Sequence, residues 1–151
     1  MPTGKTLKSG TDYTVKWSKA SSKNIGAYTV TITGIGNYTG VTKATYKINP
    51  KGTSLKTPVK AKKAITVKWN KQSAKMATTR ITGYQIKLAT NSTFTKNVKT
   101  VKVKGYSKIS RKVTKLKGGT KYYIKIRTYK TIGKTTCYSK WSKYKTVTTR
   151  K

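Results

Sequence analysis

Few side chains in this 151-residue chain could do catalytic chemistry. It has no histidine, one carboxylate (Asp12) and one thiol (Cys137), beside 36 lysines and arginines. A general base would have to be Asp12, a lysine or a tyrosine, and no carboxylate pair exists for glycoside hydrolysis. No cluster of His, Cys, Asp and Glu has the composition of a zinc or calcium site. The sequence therefore predicts no enzyme, no metal and no cofactor, with Cys137 as a packing residue.

The abundant chemistry is positive charge. The formal net charge is +35, whereas ordinary proportions would make roughly half of the charged residues acidic. We predict that the cations bind a polyanion. The predicted contact residues are Lys99, Lys102, Lys104, Lys108, Arg111, Lys112, Lys115, Lys117, Lys125 and Arg127. The alternative is a solubilising surface whose lysines protect a sheet edge. Because 32 of the 36 cations are lysines, loose attraction to phosphate or sulfate is favoured over reading of base edges.

Aromatic residues are interleaved with some of these cations. In the alternating segment 122–129, Tyr123, Lys125, Arg127 and Tyr129 share one face, and Trp141 is predicted to lie on the adjoining strand. One interpretation is an aromatic and basic platform for nucleic acid or a sugar polymer. The other is an internal cation–π ladder in which Trp141 stacks on Arg127 for stability.

The elements that must position these residues are short strands, because apolar and polar residues alternate throughout. Strands are predicted at 13–17, 27–33, 42–48, 64–69, 83–90, 98–104, 107–116, 122–129 and 141–149. The alternation places Trp69, Tyr84 and Tyr122 toward a core, and turns rich in glycine and asparagine separate the strands. The sequence predicts an all-β protein with two antiparallel β-sandwich modules, the first of them incomplete, and requires no helix.

The second module is similar to a fibronectin type III domain. The segments that carry the resemblance are "TVKW" ending at Trp69, "GYQIKLAT" at 83–90, "LKGGTKYYIKIRTY" at 116–129 and "YSKWS" at 138–142. The resemblance implies a seven-stranded sandwich and a tyrosine corner at Leu116 and Tyr122, in which Tyr122 would bond to backbone near the preceding turn. It also implies the cation–π ladder, since "SKWS" looks like half of the tryptophan–serine ladder of related modules.

The first module resembles part of a different repeat. The wording "LKSGTDYTVKW…IGAYTVTITGIGNYTG…KATYKINP" is similar to Ig-like repeats of large Gram-positive bacterial surface proteins, as is the wording of the fibronectin-like part. Only three or four strands are present, so this module looks like the C-terminal part of a domain. The predicted organisation is a partial Ig-like module at 1–50, a linker at 51–56 and a fibronectin type III-like domain at 57–151.

Composition and resemblance together predict a non-catalytic module for adhesion or structural display, extracellular or on a cell surface. Its expected partners are nucleic acid or anionic polymers such as teichoic acid, lipopolysaccharide and glycosaminoglycan, and an anionic membrane surface is a further expectation. Two alternatives stay open. The chain could be a deliberately supercharged β-sandwich, or it could be a filament subunit that self-associates through the open strand edge of the first module.

Overall fold

The computed structural model describes residue 4 and residues 6–151, and within them the chain forms strands and turns without a helix. Accordingly, nothing in this described part is a helix that could span a membrane. The strands are β1 (Tyr13–Trp17), β2 (Gly26–Gly34), β3 (Val41–Ile48), β4 (Val59–Ala61), β5 (Ala64–Lys68), β6 (Gly83–Ala89), β7 (Lys99–Lys104), β8 (Ser110–Val113), β9 (Lys121–Ile132), β10 (Thr135–Tyr138) and β11 (Lys145–Thr148). The all-β prediction is confirmed.

Strands β4 to β11 build a sandwich of two antiparallel sheets. One sheet has the order β4-β5-β8 and the other the order β10-β9-β6-β7. Strand β11 also pairs with β9, along the half of β9 that β10 leaves free. Strands β10 and β11 are therefore two parts of one strand, and the sandwich has the predicted seven.

The core between the two sheets is apolar and closed to solvent. Trp69, Tyr84, Ile86 and Ile126 have no exposed surface, and Leu116 and Tyr122 belong to the same buried cluster. Alternation produces this core because every second side chain of a strand faces the same sheet surface. The lysines between these positions point outward, so the positive charge stays out of the interior.

Two buried tyrosines bond to backbone through their hydroxyl groups. The Tyr122 hydroxyl accepts a hydrogen bond from the backbone N–H of Lys117 (3.0 Å), which is the tyrosine corner expected from the resemblance. The Tyr84 hydroxyl donates to the carbonyl of Tyr106 (2.6 Å) and accepts from the N–H of Gln72 (2.8 Å). Each bond ties a loop to the core, because a buried hydroxyl needs a partner.

Strands β1, β2 and β3 form a separate antiparallel sheet of three strands. The register places Val15, Trp17, Tyr28, Val30 and Tyr46 on one face, and mostly threonine and lysine on the other. The Tyr46 ring lies against both Trp17 (5.2 Å between centroids) and Tyr28 (5.4 Å). These rings shelter Val30, which is only 9% exposed although Trp17 is 48% exposed. Aromatic residues thus cover much of this face, since the described part of the first module forms one sheet and not two.

Residues 51–56, the predicted linker, run along the sandwich. The Thr128 hydroxyl donates to the carbonyl of Lys51 and the Gln72 amide donates to the carbonyl of Gly52 (2.7 Å each). Leu55 pairs with Trp69 and is buried in the core cluster. The segment is therefore packed on the second module. The proposed boundaries at 50 and 57 remain a prediction, and residues 1–3 and 5 of the first module lie outside the described residues.

Two strand predictions need correction, and two strands were not predicted. The strand predicted at 107–116 is only Ser110–Val113: Ile109 is 53% exposed, and Lys115 has a left-handed backbone (φ 57°) that ends the extended run. The strand predicted at 141–149 begins at Lys145. Strand β10, from Thr135 to Tyr138, was not predicted, because the serines that follow it break the alternation. Strand β4 was also missed, since three residues carry little periodic signal.

We expect Trp69→Ala to lower the free energy of unfolding by about 3–5 kcal/mol, because it leaves a large cavity in a packed core. Trp69 is completely buried, while Trp17, the matched control, is about half exposed. Chemical denaturation of both alanine variants measures the effect. A loss below about 1 kcal/mol for Trp69→Ala would contradict the packing described here.

Candidate functional site

The outer face of the sheet that contains β6, β7 and β9 carries a segment with a three-residue repeat, Tyr138-Ser-Lys-Trp141-Ser-Lys-Tyr144, which runs from the end of β10 toward β11. Each serine makes a reciprocal pair of bonds with β9. The Ser142 N–H donates to the carbonyl of Ile126 (2.8 Å), and its Oγ accepts from the Ile126 N–H (3.1 Å). Ser139 is bonded to Thr128 in the same way (3.1 and 3.0 Å). These bonds replace the sheet ladder and set the aromatic residues at regular intervals.

The aromatic rings alternate with cations of β9. The guanidinium carbon of Arg127 lies 3.8 Å from the centroid of the Tyr138 ring and 4.3 Å from that of Trp141. The Lys125 ammonium lies 3.9 Å from the Phe94 ring and 5.2 Å from Trp141. Such distances allow the negative face of each ring to attract the cation. We call this set of rings and cations the ladder.

The ladder continues at both ends and toward β6. Lys102 on β7 lies 5.7 Å from the Tyr129 ring, which neighbours Tyr138. Lys87 on β6 lies 5.7 Å from the Trp141 ring. At the far end, Tyr144 contacts both Phe94 and Tyr123, and Lys121 lies over Tyr123. A row of alternating charge and ring therefore crosses most of this sheet face.

Burial and like charge act on the cations of the ladder. Burial lowers the pKa of the Lys125 amine, and the positive charges of Lys87 and Arg127 lower it further. Lys87 is the direct cross-strand partner of Lys125, a like-charge pairing that opposes folding by a few tenths to about 1 kcal/mol. Burial also lowers the pKa of Arg127. For Tyr129, burial raises the pKa and the charge of Lys102 opposes that rise.

The ten cations predicted to bind a polyanion do not form a single patch. Lys102, Lys104, Lys125 and Arg127 point outward from the sheet that contains β6, β7 and β9. Arg111 and Lys112 lie on β8, an edge strand of the other sheet. The Lys99 ammonium on β7 donates to the carbonyl of Thr114, which follows β8 (2.7 Å), so this exposed bond joins the two sheets along one side of the sandwich. The three remaining residues of the prediction lie in exposed loops, namely Lys108, Lys115 and Lys117.

The predicted platform residues are close together, but they are not equally accessible. Tyr123 and Trp141 are half-buried, whereas Tyr129 is buried (3% exposed) beneath its neighbours. Trp141 stacks with Arg127, as in the ladder interpretation. The core residues Trp69, Tyr84, Leu116 and Tyr122 lie on the opposite side of the sheet and do not contribute to this face.

Sequence reasoning missed several members of the ladder. Tyr138 and Tyr144 could have been found from the three-residue repeat, which extends the "SKWS" segment at both ends. Lys87 could have been found from its alternation with Tyr84, Ile86 and Leu88. Phe94 carries no such signal, because it lies in a loop with a left-handed backbone (φ 60°) and reaches Lys125 only through the fold.

The isolated reactive groups have structural surroundings. Cys137 is buried (1% exposed) on β10. The Asp12 carboxylate accepts a hydrogen bond from the backbone N–H of Lys8 (2.8 Å) at the turn before β1. Across residues 4 and 6–151, no group of three or more His, Cys, Asp or Glu side chains could bind a metal ion.

Comparisons with known proteins agree with this fold. The model of the family described as "Fibronectin type III domain" matches residues 49–144. The chicken CNTN1 FN1-FN3 domains are similar with 22% identity and a TM-score of 0.56, over 87% of this chain and 45% of that one. A myokine structure is similar with 12% identity and a TM-score of 0.50, over 68% of this chain and 99% of that one. No curated protein matches the sequence.

The lowered pKa of Lys125 predicts a pH dependence of stability. A lysine whose pKa is lower in the folded than in the unfolded state binds fewer protons when folded. Its contribution to the free energy of unfolding therefore rises with pH through the lowered pKa, and levels off above the ordinary lysine value near 10.4.

The measurement is the free energy of unfolding of wild type and Lys125→Gln from pH 7 to about 10.5, at constant ionic strength. The advantage of wild type over the variant should grow with pH. Lys23→Gln, in the exposed connection between β1 and β2, controls for the removal of one charge. A difference that is the same at every pH would contradict the assignment.

Proposed function

The chain belongs to the fibronectin type III family, and we propose that it is an adhesion or structural module that binds polyanions through its cationic surface. Fibronectin type III domains are non-catalytic modules that usually serve such roles, typically in extracellular or surface proteins. We propose the same location for this chain. The wording shared with Gram-positive surface repeats supports a bacterial surface protein. The chain spans less than half of the CNTN1 structure, so the partners of a complete protein are part of the proposal.

The observation that carries this proposal is that the positive side chains have almost no negative side chains in the same chain with which to pair. Against 36 cations stands one acidic side chain, Asp12, which is used in a turn. On the sheets, like charges face one another: Lys87 lies opposite Lys125, and Lys16 and Lys43 flank Thr31. The ladder offers its cations uncharged partners, namely aromatic rings and the Gln85 amide. Since these partners leave the positive charge unneutralised, an external anion is the partner that would benefit.

The expected binding is broad rather than sequence-specific. Lysine is a flexible point charge, whereas the bidentate contacts that distinguish bases or orient ligands favour arginine. Cations on two sheet faces and on the side between them would let a long anionic polymer contact the module in several orientations. Anionic membrane surfaces would attract the same charges.

We expect the protein to bind duplex DNA and heparin without sequence preference. If about six phosphates are neutralised, a plot of log affinity against log salt concentration should have a slope near −5. Fluorescence anisotropy with labelled DNA across a salt series measures the slope, and neutral dextran is the control polymer. Absent binding at low salt, or an affinity independent of salt, would reject the proposal.

A second candidate function is self-association through β3. Among residues 4 and 6–151, this strand pairs only with β2, so its other side is an edge. The backbone of Thr29 on β2 bonds to Ser18: its N–H donates to the Ser18 Oγ (3.0 Å) and its carbonyl accepts from the Ser18 N–H (2.9 Å). The backbone N–H and C=O of Thr29 therefore point toward β1, and those of its partner Thr45 on β3 point away from the sheet. A free N–H and C=O at this position could pair with another chain.

Charge repulsion between chains should keep the protein monomeric in dilute buffer, and screening by salt or a short polyanion should allow association. Light scattering across a salt series, with and without short DNA, tests this. Thr45→Pro removes the outward N–H without touching the β2–β3 bonds and should abolish association, whereas Thr45→Ala should preserve it. A wild-type monomer under every condition would exclude the candidate.

A further inference from the structure

The guanidinium of Arg127 is held in a fixed plane. Its two faces lie against Tyr138 and Trp141, at 3.8 and 4.3 Å from the ring centroids. Within that plane, Nε donates a hydrogen bond of 2.7 Å to Oε1 of Gln85, whose side chain is itself buried (8% exposed). Two stacked rings fix the tilt of the group, and the Nε bond fixes its rotation. The side chain has therefore lost most of its conformational freedom on folding.

The outer edge of this guanidinium is still available. Nε makes the one hydrogen bond that the group forms within the described chain. In the described chain, Nε1 of Trp69 is the one buried polar side-chain atom that has no hydrogen-bond partner. The two Nη groups of Arg127 also have no partner there but are not among the buried atoms, so solvent can reach them. An arginine edge with both Nη groups free can donate two parallel hydrogen bonds to one oxyanion.

Further cations surround this edge. Lys87 and Lys125 lie over the same indole as Arg127, at 5.7 and 5.2 Å from its centroid. Lys102 occupies the same cross-strand row as Gln85 and Arg127, on the neighbouring strand β7. Because Asp12 is the only acidic side chain and lies next to the first sheet, no carboxylate side chain competes for these donors.

We infer that the exposed edge of Arg127 is a preformed site for a sulfate or phosphate ester group of a linear polyanion. This inference rests on the proposed polyanion binding and names one place and one ligand chemistry within it. Two terminal oxygens of the ester accept from the Nη groups. The third terminal oxygen of a sulfate monoester, which a phosphodiester lacks, faces the lysines beside the ladder. An ordered arginine fork loses little entropy when it binds, so this site contributes more affinity than a mobile lysine.

Within the described chain, the other arginines lack this arrangement. Arg80 lies over one ring, that of Tyr106, at 4.7 Å. Arg111 and Arg150 are exposed and have no ring contact. Arg150, which is not among the predicted polyanion contacts, therefore serves as a matched control: the same substitution there removes an arginine fork that nothing holds in place.

The test compares Arg127→Lys with Arg150→Lys, which both keep the net charge. Binding to heparin, a sulfate polymer, and to a short DNA duplex, a phosphodiester polymer, is measured over a salt series. Arg127→Lys should weaken binding about tenfold in at least one arm, a typical effect of losing a bidentate contact, with an unchanged salt slope. Arg150→Lys should stay within about twofold of wild type. The arm with the larger loss identifies the preferred ester.

A second variant separates this role from a structural one. Gln85→Met keeps Arg127 and its rings but removes the Nε partner, so binding should weaken by about threefold while the folded NMR spectrum persists. In wild type, the Nη and Nε resonances of Arg127 should shift when heparin or DNA is added. Equal affinities of all variants and unmoved Arg127 resonances, in a protein that still binds, would overturn the site and leave the general proposal intact. Absence of wild-type binding at low salt would overturn both.

Discussion

The main physical constraint on this structure is that nearly all of its charged side chains are positive and repel one another. Most soluble domains place acidic residues among their lysines, and this chain has a single carboxylate side chain. At its most crowded cationic surface the protein uses aromatic rings instead. Lys125, Arg127 and Lys87 are gathered on one sheet face, where simple repulsion would push them apart, and each lies over a ring. A ring attracts a cation through its quadrupole without neutralising it. The face thus gains cohesion while its full positive charge remains.

This arrangement works because the two faces of the sheet have separate tasks. Along β9, Tyr122, Ile124 and Ile126 enter the core, and Tyr123, Lys125 and Arg127 enter the ladder. The core supplies the hydrophobic stabilisation that offsets like-charge pairs such as Lys87 and Lys125, each of which costs only tenths of a kcal/mol to about 1 kcal/mol. The serines of the repeat complete the division. Each serine bonds to β9 through both its N–H and its Oγ, so the backbone of β9 keeps its hydrogen bonds without a regular edge strand. The aromatic residues next to the serines can then stack on the cations of β9.

Alternation in the sequence was sufficient to predict the fold class, most strands and the buried positions of Trp69, Tyr84 and Tyr122. It failed where the backbone leaves the extended conformation. Lys115 and Phe94 have positive φ angles, which L-residues other than glycine rarely adopt and which period-two reasoning does not anticipate. The pairing of Arg127 with Trp141 was foreseen from the family resemblance, but the contact of Lys125 with Phe94 joins residues 31 positions apart and exists only through tertiary structure. Residue types indicated the chemistry of the site, and only the register of β6, β7 and β9 could say which cations share a face.

That register also separates two kinds of positive charge in one small module. Exposed loop lysines such as Lys108 and Lys117 carry their charge on a long, flexible side chain, so their attraction reaches about a Debye length but has no fixed direction. Arg127 has a fixed direction, because two rings and Gln85 determined its position when the chain folded. The flexible lysines concentrate any polyanion near the surface, and the fixed guanidinium favours anionic groups of one geometry. A chain that must hold a polymer in a defined orientation needs both, since attraction alone leaves the bound polymer free to slide.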